Sequence, residues 1–130
     1  MRIPLTILFL FLASIAYADE SAIKTIAYEA RGESLEGQIM VASVIKTRMD
    51  QSKRTAREVV FKPYQFSCWK DGKPSQKAKL SQKAINTASR AWNEAKVGKY
   101  NHYCRYDCRP SWIKAAKSSL RVGNHIFYEL

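Results

Sequence analysis

The sequence predicts one mainly helical domain of the α+β class, with a small β element toward its carboxyl end. Apolar residues recur at helical spacing in several segments, and most of these segments open with a capping residue. After Gly98, aromatic and polar residues alternate instead, as in short strands. The chain has 130 residues, which is long enough for one domain and too short for two.

Residues 1–18 are predicted to be a secretory signal peptide. Arg2 supplies the short positive region, residues 3–15 are an apolar run, and small residues precede a cleavage site after Ala18. The run is shorter than the roughly 20 apolar residues that cross a bilayer. We therefore expect residues 19–130 to be the mature domain, secreted from the cytoplasm and without a membrane span.

The first helix is predicted over residues 22–31, with Ser21 as its N-cap and Gly32 as its stop. Its apolar stripe consists of Ile23, Ile26, Ala27 and Ala30. Glu29 lies off this stripe, roughly 120° around the helix from Ile23. We therefore expect Glu29 at the edge of a cleft rather than in the core.

A second helix is predicted from the N-cap Ser34 to about Met49, with Glu36 favourably placed in its first turn. Apolar residues lie nearly all the way round it, which indicates a buried central helix. They are Leu35, Ile39, Met40, Val41, Ala42, Val44 and Ile45.

Thr55 and Glu58 form a capping-box pattern, which predicts a short helix through Phe61 that Pro63 ends. Residues 70–79 are polar and contain glycine and proline, so they predict an exposed loop.

The clearest helix is predicted over residues 81–97, and Gly98 is expected to close it. One face is apolar and carries Ala84, Ile85, Ala88, Ala91, Trp92 and Ala95. In the tail the pattern allows both short strands and a helical turn near residues 112–120.

The formal net charge is +11, and Arg2 is the only charge that signal-peptide removal would take away. So basic a protein is attracted to polyanions. For a secreted protein we expect these to be anionic envelope polymers, and we expect no nucleic acid partner. The alternative is that the lysines only keep a small monomer soluble.

The three cysteines, Cys68, Cys104 and Cys108, leave one thiol over after any single disulfide. Outside the cytoplasm a disulfide is permitted, and all three pairings stay open. With His102 and His125, Cys104 and Cys108 also provide zinc-ligand side chains. Their spacing matches no standard zinc motif, so we expect no metal and no cofactor.

Glu29 and Glu33 are candidate catalytic carboxyl groups, because their spacing places both on one side of a helical turn. A carboxyl group protonates a leaving oxygen well when a partly apolar wall raises its pKa toward the working pH. The same spacing also suits two solvated charges paired to Arg31 or Lys24. Four aromatic residues are candidates for stacking on sugar rings or for the core: Trp69, Tyr103, Trp112 and Tyr128.

Four blocks follow one another along the chain, the first reading Tyr-Glu-Ala-Arg-Gly-Glu over residues 28–33. The blocks are 28–33 continued by 35–45 and Arg48, then 59–69, then His102-Tyr103 with 110–112, and finally 122–128. Together they resemble the SleB/CwlJ-type cell-wall hydrolases, the spore-cortex-lytic enzyme family. The resemblance covers essentially the whole chain after residue 18, and it implies that residues 19–130 are a cell-wall hydrolase catalytic domain that acts in the periplasm or cell wall.

The resemblance implies a fold similar to lysozyme and lytic transglycosylases, with peptidoglycan glycan strands as substrate. It implies that Glu29 protonates the oxygen between N-acetylmuramic acid and N-acetylglucosamine. Glu29 would then deprotonate the muramyl C6 hydroxyl, so that one carboxylate serves both steps, unlike the two-carboxylate hydrolases. Glu33 is the reserve candidate, with a structural role at the turn or with Arg31 favoured. The expected substrate-binding residues are Gln65, Ser67, His102, Tyr103, Trp112 and His125.

Two cysteines depart from the family pattern. Many relatives have a second histidine where this chain has Cys104, and Cys108 replaces a usually apolar residue. The departure puts a metal or substrate role of that histidine in question, and it favours a Cys104–Cys108 link.

Three hypotheses follow. The first is glycan cleavage by Glu29, as a lytic transglycosylase or a hydrolysing muramidase. The second is a zinc amidase or peptidase that uses His102, His125 and a cysteine and is sensitive to chelators. The third is a non-catalytic cationic wall-binding protein, indifferent to Glu29→Gln and released by salt.

Overall fold

The computed structural model describes residues 19–75 and 79–130, so the predicted signal peptide lies outside the described residues. The predicted mainly helical architecture with a small β element is confirmed. The helices are α1 (Glu20–Ala30), α2 (Leu35–Ser52), α3 (Ala56–Phe61) and α4 (Gln82–Glu94), with a 3₁₀ helix at Ser111–Ala115. The strands are β1 (Trp69–Lys70), β2 (Lys73–Pro74), β3 (His102–Arg105), β4 (Ser118–Val122) and β5 (His125–Glu129). No helix in these two ranges has both the length and the hydropathy to cross a bilayer.

Helix α1 begins earlier than predicted. Its N-cap is Asp19, not Ser21, because Asp19 already has right-handed helical dihedral angles and its carbonyl accepts the N–H of Ile23 at 3.0 Å. Ser21 is therefore part of the first turn. The predicted apolar stripe is confirmed, since Ile26 is completely buried and Ile23 packs on the core.

Helix α2 is the buried central helix that its sequence predicts. Ser34 caps it, and its hydroxyl oxygen accepts the N–H of Gly37 at 3.2 Å. The helix continues beyond Met49 to Ser52 and ends where Lys53 adopts a left-handed conformation, with φ of 56°. The helices α1, α3 and α4 all pack against it.

The predicted capping box of α3 is confirmed, with Thr55 and Glu58 bonded in both directions. The predicted loop over residues 70–79 is partly wrong, because β1 and β2 form a small hairpin there. Asp71 and Gly72 both have positive φ, as the tight turn of a two-residue hairpin requires. This segment is exposed as predicted, although residues 76–78 are not among those described.

Helix α4 is shorter than predicted: it ends at Glu94, not at residue 97. The ammonium group of Lys46 explains the early end, since it donates hydrogen bonds of 2.6 and 2.8 Å to two carbonyl oxygens there. Ala95 is already extended, and Gly98 lies in the segment that follows instead of closing the helix.

The three-stranded sheet has the antiparallel order β3-β5-β4, so β5 is central. Paired residues put their side chains on the same face, and these pairs define two faces. The inner face includes Tyr103, His125 and Phe127. The outer face includes His102, Cys104 and Tyr128. Phe127 is completely buried in the core that the helices build, so the inner face packs on the helical layer.

Candidate active site

Glu29 is the next-to-last residue of α1 and is half-buried where that helix meets the inner face of the sheet. Its carboxylate faces the hydroxyl of Tyr103 and the thiol of Cys68. Burial raises the pKa of both groups, and the charge and hydrogen bonding of Glu29 raise the two pKa values further. Both groups therefore keep their protons at neutral pH and surround the carboxylate with uncharged neighbours.

Glu33 lies one helical turn further along but points to the turn between β4 and β5. Its Oε1 accepts the N–H of Asn124 at 3.0 Å and lies 3.3 Å from Nδ1 of His125. The other carboxylate oxygen packs on Gly123, where an added Cβ would be only 2.8 Å away. Glu33 thus ties the helical layer to the turn, and the structure shows no ion pair between it and Arg31.

His125 connects the two carboxylates. Burial lowers its pKa, whereas the negative charges of Glu33 and Glu29 act in the opposite direction. Its ring packs edge-on against the Tyr103 ring, with 5.1 Å between centroids. A largely buried, neutral imidazole therefore fills the space between Glu33 and Tyr103.

The expected substrate-binding residues fall into three places. Tyr103 and His125 lie beside Glu29 on the inner face. His102 and Trp112 lie on the other side of the sheet, with 5.0 Å between their ring centroids. Gln65 and Ser67 are exposed in the segment that precedes β1. The structure thus brings two of the six residues to Glu29.

Three cavities lie around the segment that joins α3 to β1. One of about 470 Å³ has aromatic walls from Tyr28, Phe61 and Trp69. A second, of about 500 Å³, contains Arg48 and is named here the Arg48 cavity. A third, of about 540 Å³, is lined by Ser67 among others. Glu29 lines none of these three, so the predicted position of Glu29 at the edge of a cleft is not reproduced by these cavities.

The zinc hypothesis needs His102 and His125 to reach one ion. They lie on opposite faces of the sheet, and in residues 19–75 and 79–130 no three His, Cys, Asp or Glu side chains are grouped to hold a metal. Cys104 adjoins Cys108, with its sulfur 4.0 Å from the Cys108 carbonyl oxygen. All three thiols are free, and Cys68 is buried away from solvent.

A sequence profile of the Cell Wall Hydrolase family matches residues 32–128. This chain belongs to the Cell Wall Hydrolase family. The resemblance inferred from the four sequence blocks is thereby confirmed. The profile match begins just after Glu29, so the match itself gives no role to that residue.

Curated relatives of this cell wall hydrolase are spore cortex-lytic enzymes. That of Bacillus subtilis is 32% identical over 105 residues, which cover 78% of this chain and 34% of the relative. That of Oceanobacillus iheyensis is 34% identical over 106 residues, which cover 76% of this chain and 37% of the relative. The chain therefore spans about a third of the length of these relatives.

Two solved structures are similar along most of the hydrolase. The catalytic domain of the germination-specific lytic transglycosylase SleB from Bacillus anthracis has a TM-score of 0.67 and 27% identity, covering 86% of this chain and 94% of that domain. The catalytic domain of the Bacillus cereus SleB protein has a TM-score of 0.66 and 26% identity, covering 87% and 91%. The predicted lysozyme-like fold is thus confirmed.

Sequence reasoning missed two neighbours of the site in this cell wall hydrolase. Cys68 was considered only for disulfides, yet it packs against the carboxylate of Glu29. Arg48 belongs to the first sequence block without a role of its own, yet its charge lowers the pKa of the Tyr103 hydroxyl. The sequence did carry a signal for Arg48, since it lies on a helix that is apolar nearly all the way round. A half-buried guanidinium on such a helix needs specific partners.

Proposed function

We propose that this cell wall hydrolase is a peptidoglycan glycosidase that cleaves the bond between N-acetylmuramic acid and N-acetylglucosamine. Glu29 is its catalytic acid and base, and the enzyme acts as a lytic transglycosylase. The observation that carries the proposal is the pairing of Glu29 with two groups that keep their protons, while Glu33 is engaged at the sheet turn. Of the two candidate carboxyl groups, Glu29 is then the one available for proton transfer.

The reaction begins with a proton on the Glu29 carboxyl group. The proton passes to the glycosidic oxygen as the bond from that oxygen to muramyl C1 breaks, and positive charge develops on the muramyl ring. The Glu29 carboxylate then takes the proton of the muramyl C6 hydroxyl. The C6 oxygen bonds to C1, which gives a 1,6-anhydro end without water.

Tyr103 and His125 position Glu29 rather than transfer protons. The Tyr103 hydroxyl lies near the carboxylate and keeps its proton, since burial raises its pKa. His125 holds Tyr103 from the side and stays neutral, since burial lowers its pKa. All these groups belong to one chain, so the proposed chemistry needs no second copy of the protein.

The substrate fixes the place of action. Peptidoglycan lies outside the cytoplasm, so we propose extracytoplasmic action after removal of residues 1–18. The net charge of +11 supports attraction to anionic envelope polymers around the glycan. Gln65, Ser67, His102 and Trp112 are proposed to contact more distant parts of the substrate.

Mass spectrometry of the soluble products tests the proposal. Purified peptidoglycan is incubated with the wild-type protein and, in parallel, with Glu29→Gln. We expect anhydro-muropeptides from the wild type and none from the variant. Reducing ends would make the enzyme a hydrolysing muramidase instead. Absence of glycan fragments from both proteins would leave the wall-binding hypothesis in place of the enzyme.

A further inference from the structure

The Arg48 cavity, of about 500 Å³, carries charges that the proposed cleavage chemistry does not use. It is bordered by the carboxyl half of α2, by α3 and the segment after it, and by the start of β3. Its polar lining consists of Arg48, Gln51, Ser52, Arg54, Glu58, Lys62, Gln65, Asn101 and His102. Three of these residues are cationic at neutral pH, and one is an acid.

Arg48 is held rigidly in this cavity. Its Nε donates a 2.6 Å hydrogen bond to the Asn101 carbonyl oxygen, and its guanidinium lies over the Phe66 ring, 5.2 Å from the centroid. Nη1 is 3.5 Å from Oε1 of Gln65. The Arg48 guanidinium is thus fixed through Nε, whereas its two outer nitrogens have only the 3.5 Å contact to Gln65.

These three cations form no ion pair among the described residues, although the charge of Arg54 acts on the Glu58 carboxylate at longer range. Arg48, Arg54 and Lys62 each lack an acidic partner within 4 Å there, whereas Lys24, Lys53, Arg90 and Arg105 have one. A half-buried guanidinium without a counter-charge is costly, and burial lowers the pKa of Arg48. An anionic ligand would remove that cost.

Glu58 provides the single negative charge on the cavity. Its Oε1 accepts from the Thr55 N–H at 3.2 Å and from the Thr55 hydroxyl at 3.0 Å, so it is fixed by the capping box. The lining is therefore positive with one acidic site. It suits a ligand that carries carboxylates together with an ammonium group better than it suits a phosphodiester polymer.

The Phe66 and Tyr103 side chains lie between the Arg48 cavity and Glu29. The Phe66 ring packs under the Arg48 guanidinium, with its centroid 5.2 Å away, and its centroid is 6.4 Å from that of the Tyr103 ring. Tyr103 in turn lies near Glu29, whose charge raises the pKa of the Tyr103 hydroxyl. His102, the neighbour of Tyr103 on β3, lines the cavity, as does Gln65. A stem peptide on a muramyl residue at Glu29 would have to extend past Tyr103 and Phe66 to reach this cavity.

We propose that the Arg48 cavity binds the stem peptide that peptidoglycan carries on its muramyl residues, and that Arg48 holds a stem carboxylate through its outer nitrogens. Arg54 and Lys62 add positive charge at the rim, and Glu58 receives the ammonium group of the diamino acid in the stem. The proposal rests on the proposed function, because it takes peptidoglycan as the substrate. It extends that function from the glycan bond to the peptide beside it.

Direct binding tests the site without cleavage. In a Glu29→Gln background, calorimetry compares the disaccharide GlcNAc–MurNAc bearing its stem tripeptide with the same disaccharide after an amidase has removed the peptide. We expect the peptide-bearing form to bind at least about tenfold more tightly, since charge-assisted hydrogen bonds contribute on that scale. Equal affinities, or no measurable binding of either form, would overturn the proposal.

Two variants assign that difference to the cavity. Arg54→Gln with Lys62→Gln removes two exposed rim charges and leaves the core untouched, and Arg48→Lys keeps the charge but loses the fork. Lys83→Gln with Lys99→Gln is the control, because it removes two exposed positive charges that do not line the cavity. We expect both cavity variants, and not the control, to lose most of the peptide preference. Equal loss in all three would show a general charge effect and overturn the site.

Two further measurements distinguish a failure of the peptide site from a failure of the glycosidase. Glycerol phosphate is added as a competitor, and its displacement of the tripeptide form at equal concentration would identify a phosphate site instead of a peptide site. Cleavage by the protein with Glu29 intact is then measured on peptide-bearing and amidase-stripped glycan strands. Equal kcat/KM on both substrates would reject the peptide site and keep the glycosidase. Absence of cleavage with retained peptide preference would reject the glycosidase and keep the site.

Discussion

Glu29 and Glu33 are four positions apart in the chain, but their surroundings differ in a way that assigns them different roles. Glu29 faces two groups that stay protonated, and it is half-buried. Glu33 accepts a backbone N–H and contacts His125, both through Oε1. The contrast comes from residues far along the chain, so the spacing of the two glutamates alone leaves their roles undecided.

The buried thiol of Cys68 gives a prediction at the same scale. Burial and the nearby Glu29 charge raise its pKa, so the thiol is protonated and a poor nucleophile. We expect iodoacetamide at pH 8, under reducing conditions, to label the exposed Cys108 first and Cys68 last. Peptide mapping by mass spectrometry measures the order, and all three thiols should react in urea. Native labelling of Cys68 as fast as Cys108 would contradict the packing of Cys68 against Glu29.

The two histidines predict a pH dependence of stability. Burial lowers the pKa of both, helped by Arg48 at His102 and opposed by Glu33 and Glu29 at His125. The unfolded protein therefore binds protons more readily than the folded one. The contribution of the two histidines to the free energy of unfolding is fully present above their unfolded-state pKa of about 6.5. It is lost as the pH falls through their lower folded-state pKa values.

Urea unfolding at pH 5 and pH 7 measures this effect. We expect a lower free energy of unfolding at pH 5 in the wild type, and a smaller difference in His102→Gln with His125→Gln. The other carboxyl groups titrate in both proteins, so the comparison reports the histidines together with their coupling to Glu33 and Glu29. An unchanged difference in the double variant would show that the histidines do not cause the pH dependence.

The turn between β4 and β5 is the element that joins the sheet to the helical layer. Gly123 has a φ of 59°, and a Cβ there would approach Glu33 Oε2 to 2.8 Å. We expect Gly123→Ala to lower the free energy of unfolding by about 1 kcal/mol for backbone strain, and further for the clash. Gly72→Ala is the matched control, because its φ is 74° and the added Cβ meets no atom within 4 Å.

A double-mutant cycle checks the cause of the extra loss. Combining Gly123→Ala with Glu33→Ala removes the atom that clashes, so the combined loss should be smaller than the sum of the single losses. Strict additivity, measured by urea unfolding, would mean that Glu33 does not pack on this turn.

The helices were predictable to within a few residues because their signals are local. Ser34 and Thr55 act as the predicted N-caps, and Ser81, which was predicted inside its helix, is the N-cap of α4. The errors arise from tertiary contacts: Lys46 reaches the end of α4 from another helix, so the sequence around Gly98 could not indicate the true end. The hairpin over residues 69–74 is too short for a strand pattern.

The pairing of the sheet with the helical layer is a property of the whole molecule, and it builds the candidate site. Glu29 was predictable as a candidate from the sequence blocks. Tyr103 and His125 were candidates through the same resemblance, whereas Cys68 was missed because it reaches Glu29 from a distant segment that no local pattern connects to it. His102 and Tyr103 are neighbours on β3, so their side chains lie on opposite faces of the sheet. Which face each one takes depends on how β3 pairs with β5, and no local pattern specifies that register.

The most direct test of the central claim compares Glu29→Gln with Glu33→Gln in one experiment. The rate of glycan release from peptidoglycan and the urea unfolding curve are measured for each variant and for the wild type. We predict that Glu29→Gln loses release by at least about a hundredfold with stability retained, as expected for removal of a general acid. Glu33→Gln should instead lose mainly stability and keep measurable release. Full activity of Glu29→Gln, or loss of release in folded Glu33→Gln alone, would contradict the assignment of Glu29 as the acid and base.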